Sequence, residues 1–164
     1  MYNYQIDDSL EAHSAWYEKI ASNINSYRTT MSQRDFKKYK LDQLLRIARK
    51  VDDFSGYCTQ CNELQPEITR LTQNLGNLTQ VATQVERKSY LTAIGNMVKH
   101  LQKEHKLAAE GQYVGIGMAI GGGIGTALGA FLDNAGIGTA IGIAIGLAVG
   151  TYLDRKAKRE GKVI

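Results

Sequence analysis

Two cysteines and two histidines have the residue types and spacing that could bind a metal ion. Cys58 and Cys61 form a C-x-x-C pair, and His100 and His105 follow further along the chain. Together they make up the ligand set of a Cys2His2 zinc site. The histidines are five residues apart, about 140° around an α-helix, so they can share one ion only if the helix ends there.

Both cysteines fall on an apolar helical seam, where a free cysteine packs as a small hydrophobic side chain. We therefore expect the two thiols to pack in a core, with no metal ion and no cofactor. A zinc site at the four residues and a redox-active thiol pair remain the alternatives.

No other part of the sequence has the pattern of an active site. We find no serine–histidine–acid set and no paired carboxylates in the spacing that catalysis needs. The stretch GGGIGTALG contains glycines spaced as in dinucleotide-binding loops. That motif needs a preceding strand, a βαβ unit and an acidic residue beyond it, and too little chain remains for such a unit. The repeat of the glycines from residue 138 has no phosphate-binding reason either. We expect no enzymatic activity, no catalytic residue and no cofactor-binding residue.

The cysteines and histidines lie in a region, residues 1–110, that reads as helices throughout. An amphipathic run covers residues 10–31, and a second, with alternating steps of three and four as in a coiled coil, covers 32–78. Pro66 predicts a kink or break in the second run. A third helix is predicted at 85–108. We expect an all-α fold that begins with a cytoplasmic helical bundle or coiled-coil-like region.

The composition changes completely after residue 110. Between Gly111 and Gly150 lie 13 of the 17 glycines and a single charged residue, Asp133. The stretch GMAIGGGIGTALGAFLD, 117–133, recurs as GTAIGIAIGLAVGTYLD, 138–154, with ten of seventeen positions identical. Glycine in a water-exposed helix costs about 1 kcal/mol relative to alanine. In hydrocarbon, unpaired backbone groups cost more than this, so an apolar segment must be helical or part of a closed barrel.

Two uncharged runs, residues 113–132 and 135–153, are long enough to cross a membrane as helices. The sequence DNAG between them is typical of a turn. Glycines recur at every fourth position on each predicted helix and so form two columns, which we call the glycine columns. They are Gly117, Gly121, Gly125 and Gly129 on the first helix and Gly138, Gly142, Gly146 and Gly150 on the second.

Residues four apart lie on one helical face, so each glycine column lets another backbone approach closely. In this respect residues 111–154 resemble the glycine-zipper helical hairpins of two-transmembrane membrane proteins. The resemblance implies close helix packing and no particular activity. We therefore predict a glycine-zipper transmembrane hairpin, and homo-oligomers that form through the glycine columns.

Two other interpretations of the glycine-rich region were weighed. One is a soluble tail that is disordered or prone to aggregation. The other is a proton-translocating rotor ring, whose subunits are also glycine-rich hairpins. A rotor needs a carboxylate at the middle of the membrane, whereas Asp133 and Asp154 fall at helix ends. We favour the transmembrane hairpin.

Basic residues flank the hairpin and are absent from its turn. They are Lys99, Lys103 and Lys106 before it, and Arg155, Lys156, Lys158, Arg159 and Lys162 after it. The positive-inside rule then places both termini in the cytoplasm. We predict a multi-pass protein of the cell membrane with a cytoplasmic bundle at 1–110, a hairpin at 111–154 and a basic cytoplasmic tail at 155–164.

A further set of basic residues lies in the first part of the second predicted run, interspersed with Asp35 and Asp42. It comprises Arg34, Lys37, Lys38, Lys40, Arg46, Arg49 and Lys50. We expect a solvated helix face, with contact to anionic lipid headgroups as the alternative. Residues 1–110 hold 15 basic against 13 acidic residues, and aromatic residues do not interleave the set, so we expect no binding to nucleic acid.

These features predict an integral membrane protein whose partners are membrane lipid and further copies of itself. The function predicted first is a channel or pore gated through the cytoplasmic helices, since small residues let helices slide and an apolar path can gate by dewetting. The alternative is a non-conducting membrane scaffold that assembles the cytoplasmic helical domains for a partner or for membrane organisation.

Overall fold

The computed structural model describes residues 14–80, 83–131 and 133–164, and in these ranges the chain is helical with no β-strand. The helices are α1 Ala15–Thr30, α2 Gln33–Lys38, α3 Leu41–Ser55, α4 Thr59–Gln73, α5 Leu75–Gln80, α6 Gln84–His105, α7 Gln112–Phe131 and α8 Ala135–Arg159. The chain divides into two compact units, residues 1–97 and 98–164. We call them the N-terminal unit and the C-terminal unit.

The predicted second helix is four helices, α2 to α5. The first break is at Lys40, which has a left-handed backbone with φ of 53°. The next comes after Ser55, where Cys58 becomes the N-cap of α4. A kink or a break is predicted at Pro66; the break is wrong, because α4 continues through this residue. Of the predicted first helix, residues 10–13 lie outside the described ranges, and α1 begins after the N-cap Ser14.

The core of the N-terminal unit is built around α3, the most strongly amphipathic of its helices. One face of α3 is fully buried, and α1 and α4 add apolar side chains to the core. The completely buried members include Ile24, Leu41, Leu44, Ile47, Val51 and Ile68. Two hydrogen bonds fix neighbouring helices: the indole Nε1 of Trp16 donates to Oγ1 of Thr69 at 2.9 Å, and the Tyr90 hydroxyl donates to the Tyr39 carbonyl, also at 2.9 Å.

Helix α6 begins with a reciprocal cap. The carboxylate of Glu86 accepts from the Thr83 backbone N–H at 2.7 Å and from its hydroxyl at 2.9 Å. The Glu86 N–H in turn donates to the Thr83 hydroxyl at 3.3 Å, which completes a capping box. The helix ends at His105 because Lys106 has a left-handed backbone with φ of 55°. The predicted helix at 85–108 is confirmed to within a few residues.

The C-terminal unit contains α7 and α8, which pack as an antiparallel hairpin. Both helices are long and apolar enough to cross a membrane, with hydropathies of 1.6 and 1.7 over their most apolar stretches. The turn contains Asp133 in a left-handed conformation and Asn134, whose side chain accepts from the Ile137 N–H at 3.1 Å and caps α8. Helix α8 continues to Arg159, so residues 155–159 of the predicted tail are helical.

The last residues of the chain pair with the segment that precedes α7. The Ala108 N–H donates to the Lys162 carbonyl at 2.8 Å, and the Ile164 N–H donates to the Ala108 carbonyl at 3.0 Å. Ile164 is completely buried. The two ends of the hairpin are therefore joined by backbone hydrogen bonds.

Candidate functional site

The two glycine columns face each other inside the hairpin. A Cβ atom added at any of the eight column glycines would lie closer than 3.0 Å to a backbone atom of the opposite helix or of its N-cap Asn134. At Gly125 the added atom would lie 2.9 Å from the Gly142 Cα, and at Gly150 it would lie 2.5 Å from the Tyr113 carbonyl oxygen. Any side chain at these positions would force the helices apart, since real Cβ atoms do not approach backbone so closely.

The other glycines of α7 do not touch the backbone of the opposite helix. Nothing lies within 4 Å of a Cβ atom placed at Gly115 or Gly123, and a Cβ at Gly122 would meet only the side chain of Ile143. Only the column glycines, at every fourth position, therefore let the two helix backbones approach closely. The other glycines of the hairpin take no part in this contact.

Asp154 links the two ends of the hairpin. Its carboxylate oxygens accept hydrogen bonds from the backbone N–H groups of Tyr113 and Val114, both at 3.2 Å. These N–H groups lie in the first turn of α7, where backbone N–H groups have no carbonyl acceptor within the helix. Sequence reasoning placed Asp154 at a helix end but missed this contact. The signal available was the repeated Leu-Asp that closes both halves of the internal repeat.

The outer surface of the hairpin is aliphatic. Ile124 and Ile145 are 57% and 61% exposed, which places them outside the glycine contact. On one side, rows of large aliphatic residues flank the two columns and line an open groove of about 580 Å³. The rows are Ile116, Ile120, Ile124 and Leu128 on α7 and Ile137, Ile141, Ile145, Val149 and Leu153 on α8. Such a surface suits a hydrocarbon environment.

One pair of hydroxyl groups interrupts the apolar hairpin. The Oγ1 atoms of Thr126 and Thr139 lie 2.6 Å apart. A hydroxyl has one proton, so one of the two can donate to the other while the second donates to a carbonyl of its own helix. The carbonyl oxygens within reach are that of Gly122, 2.8 Å from Thr126 Oγ1, and that of Ala135, 2.7 Å from Thr139 Oγ1. Both side chains are thereby satisfied within the hairpin, as polar groups in hydrocarbon must be.

In the N-terminal unit, the two cysteines occupy the start of α4. The Cys58 Sγ accepts from the Cys61 N–H at 3.4 Å, and Cys61 is completely buried. Both thiols are free of disulfide bonds. Burial, with a smaller contribution from the neighbouring Cys58, raises the pKa of the Cys61 thiol to about 12. A thiol that is protonated at neutral pH is a poor nucleophile, which argues against the redox-active pair. The prediction that both cysteines lie on a helical seam is wrong for Cys58, which is an N-cap.

In the C-terminal unit, the two histidines occupy the end of α6. Their rings meet edge to face with centroids 5.3 Å apart. Burial, followed by the neighbouring His100, lowers the pKa of His105. The condition that sequence reasoning set for a shared ion, that the helix ends at the second histidine, is met.

The basic set divides into two parts. Arg34, Lys37, Lys38 and Lys40 surround the short helix α2 and are exposed, whereas Arg46, Arg49 and Lys50 on α3 are half-buried. Lys38 also lies over the ring of Tyr39, with its Nζ 5.5 Å from the centroid. The exposed part, which has Asp35 among its residues, gives α2 a cationic surface.

No protein-family model matches this chain, and no curated protein or solved structure matches it either. The function is therefore argued from the chain's own residues. Those that support an argument are the two facing glycine columns, the aliphatic outer surface and the Asp154 cap.

Proposed function

We propose that this protein is a two-span membrane scaffold, in which a glycine-zipper hairpin holds the helical N-terminal unit at the cytoplasmic face of a bilayer. The observation that supports this proposal best is the mutual contact of the glycine columns. Because each column is covered by the other, the hairpin presents only aliphatic side chains around most of its circumference. That is the surface of an anchor that lipid can solvate on all sides.

The orientation rests on the basic residues at both ends of the hairpin. Lys103 and Lys106 precede α7, while Lys156, Lys158 and Arg159 end α8. The turn between the spans carries no basic residue. Both termini then lie in the cytoplasm by the positive-inside rule.

Copies of the protein would associate through the outer aliphatic rows. The glycine columns are occupied within one hairpin, which leaves side-chain packing between the rows as the contact available to a second copy. Such a contact would bring several N-terminal units together on the membrane, as a scaffold requires.

The test is reconstitution of the purified full-length protein into liposomes that enclose a fluorescent dye. A scaffold is expected to co-float with the liposomes, to resist extraction by alkaline carbonate and to release no dye. Release of dye in proportion to the protein-to-lipid ratio would instead identify a pore. Recovery of the protein in the soluble fraction would contradict both functions.

A gated channel or pore is the second candidate, and the Thr126–Thr139 pair favours it. These two hydroxyls, together with that of Thr151 on α8, are polar groups that a conducting path along the hairpin could meet. If the protein releases dye, replacing both threonines with valine should change the rate without changing insertion. Equal rates of dye release from the variant and the wild type would show that the threonines do not line the conducting path.

The cationic surface at α2 would add contact with anionic lipid headgroups, each nearby basic side chain contributing about 1 kcal/mol. Hydrogen exchange of the full-length protein in nanodiscs tests this contact. Residues 33–40 should be better protected in nanodiscs that contain phosphatidylserine than in those of phosphatidylcholine alone. Equal protection in the two lipids would identify the surface as simply solvated.

A further inference from the structure

We propose that the groove along the hairpin holds one acyl chain of an anionic phospholipid, whose phosphate binds the basic residues at the cytoplasmic end of the groove. The inference rests on the proposed insertion of the hairpin with both termini in the cytoplasm. It adds a ligand and a binding site, which an anchor by itself does not require. All the residues that form the site belong to the C-terminal unit.

The groove has the volume and the lining of a binding cleft for an apolar ligand. Its volume of about 580 Å³ lies within the range of ligand clefts, roughly 300–1,000 Å³. The facing glycine columns form its floor, and the aliphatic rows of α7 and α8 form its two walls. Most of the row residues are isoleucines, whose side chains are stiff at χ1, so the walls are ordered before a ligand binds.

The construction of the groove favours a hydrocarbon chain over a second helix. Helices associate closely in membranes where small residues let their backbones touch. The small residues at the floor already contact each other, and the aliphatic rows stand between them and any further helix. A thin, flexible acyl chain can lie between the rows and reach the floor. The outer flanks of the rows then stay available for contact between copies.

The length of the groove also suits a chain from one leaflet. Such a chain runs inwards for about 15 Å, half of the hydrocarbon core, which equals about ten residues of helix. Starting at Tyr113, it would pass Ile116 and Ile120 on α7 and end near Ile124. On α8 it would lie against Ile145, which also lines the groove.

Basic residues concentrate at the cytoplasmic end of the groove. Residues 154–162 contain five basic and two acidic side chains, a net charge of +3. Lys156 follows Val149 by seven residues, which puts it within about 20° of that residue around α8 and so in line with one wall. The Nζ atoms of Lys156 and Lys162 lie 4.0 Å and 2.8 Å from the carboxylate of Glu160. One carboxylate shared by two ammonium groups leaves a positive charge for a phosphate.

The other acidic residue at this end does not cancel the positive charge. Asp154 accepts the N–H groups of Tyr113 and Val114 at the positive end of the α7 dipole. The Glu160 carboxylate raises the pKa of Lys162, and Tyr113 adds a smaller effect of the same sign, which places the Tyr113 side chain near this ammonium group. A hydroxyl donor beside a lysine suits a phosphate, and the cytoplasmic leaflet is the one that carries anionic lipid.

The experiment mixes delipidated full-length protein in detergent with equal amounts of dioleoyl phosphatidylglycerol and dioleoyl phosphatidylcholine. Native mass spectrometry then counts the lipids that each chain retains. The two lipids have the same acyl chains and differ in the charge of the headgroup. The wild type is expected to retain one phosphatidylglycerol per chain in preference to phosphatidylcholine.

Two pairs of variants locate the site. Lys156→Gln is expected to lower the affinity for phosphatidylglycerol about fivefold, the effect of one basic side chain at an anionic surface. Lys158→Gln removes the same charge from the opposite face of α8, about 180° from Val149, and should bind as the wild type does. Ile145→Trp fills the groove and should lower retention of both lipids, whereas Leu147→Trp lies outside the lining and should not.

Equal retention of the two lipids by the wild type, or equal affinity of Lys156→Gln and Lys158→Gln, would overturn the proposal. So would lipid-free dimers that Ile145→Trp abolishes, since a second copy would then fill the groove. Flotation with liposomes is measured on the same protein. A wild type that floats but retains no phosphatidylglycerol would overturn this inference alone, whereas a wild type that does not float would overturn the proposed function with it.

Discussion

The carboxylate of Asp154, at the end of the second candidate span, accepts the backbone N–H of Tyr113 at the start of the first, at 3.2 Å. The second oxygen of the same carboxylate accepts a hydrogen bond from the Val114 N–H. One side chain thus satisfies two of the N–H groups that α7 leaves unpaired at its N-terminus. The helix dipole adds to the contact because α7 presents its positive end to the carboxylate.

Replacing this carboxylate should weaken the hairpin. Asp154→Ala is expected to lower the free energy of unfolding by about 0.5–2 kcal/mol, the range for loss of an N-terminal cap. Unfolding of the full-length protein in mixed micelles, followed by circular dichroism, measures the change. The control is Asp133→Asn, in the turn at the opposite end, which should unfold as the wild type does. Equal stability of Asp154→Ala and Asp133→Asn would show that the cap contributes nothing measurable.

The glycine columns predict a contrast between neighbouring glycines. Gly121→Leu should separate α7 from α8, because a Cβ atom at this position would collide with the backbone of Gly142. Gly123→Leu should be tolerated, since nothing lies within 4 Å of its Cβ position. Both changes raise apolarity and helix propensity equally, so insertion should survive in both.

Spin labels placed at the ends of the two spans measure the separation between the helices, and detergent-solubilised size reports association. We expect a longer distance for Gly121→Leu and an unchanged distance for Gly123→Leu. Gly142→Leu should behave like Gly121→Leu, and Ile124→Leu should behave like the wild type. An unchanged helix separation in all the column variants would contradict the close-packing role of the columns.

A charge in the middle of either span should prevent insertion. Ile124→Arg or Ile145→Arg is expected to cost about 2.5–3.5 kcal/mol on insertion. The measurement is the fraction of protein that floats with membranes. Val85→Arg is the matched control, since Val85 is an exposed aliphatic residue of the N-terminal unit and its replacement should leave flotation unchanged. Full flotation of both span variants would argue against the membrane-spanning reading of α7 and α8.

The capping box of α6 predicts a local dependence on pH. The hydrogen bonds from Thr83 lower the pKa of Glu86 below its ordinary value. A lowered folded-state pKa means that the carboxylate stabilises α6 at neutral pH, and that this contribution is lost as the pH falls through the folded pKa. The Thr83 amide resonance should therefore shift at acidic pH with a midpoint below that of a free glutamate.

Glu86→Gln should abolish this titration of the Thr83 amide while preserving the cap, because glutamine also closes a capping box. Glu63→Gln removes an exposed glutamate of α4 and should leave the titration unchanged. A midpoint at or above that of a free glutamate would mean that the capping box does not hold in solution.

Local sequence rules predicted the helices that can be recognised from their own residues alone. The two uncharged runs at 113–132 and 135–153 correspond to α7 and α8, because the length of an apolar run does not depend on any partner. The helix predicted at 85–108 corresponds to α6 for a similar reason, since its apolar residues recur with a helical period.

Local rules failed at the boundary between α3 and α4. Pro66 predicts a kink or a break, yet α4, which begins at Thr59, is not broken there. The actual break lies between Ser55 and Thr59, where Gly56 is the C-cap of α3 and Cys58 is the N-cap of α4. Helical periodicity alone could not show that the chain turns at this point.

The sequence by itself determined that two glycine columns exist, and that each could let a backbone approach. Only the tertiary structure decided that the two columns meet within one hairpin. It also decided that Asp154 of α8 caps the N-terminus of α7. The physical reason is that a column's spacing defines a surface but not its partner. The partner depends on the turn at Asp133 and on the register it imposes on α8. Helical periodicity likewise did not predict that the rings of His100 and His105 meet, because residues five apart lie about 140° apart around a helix.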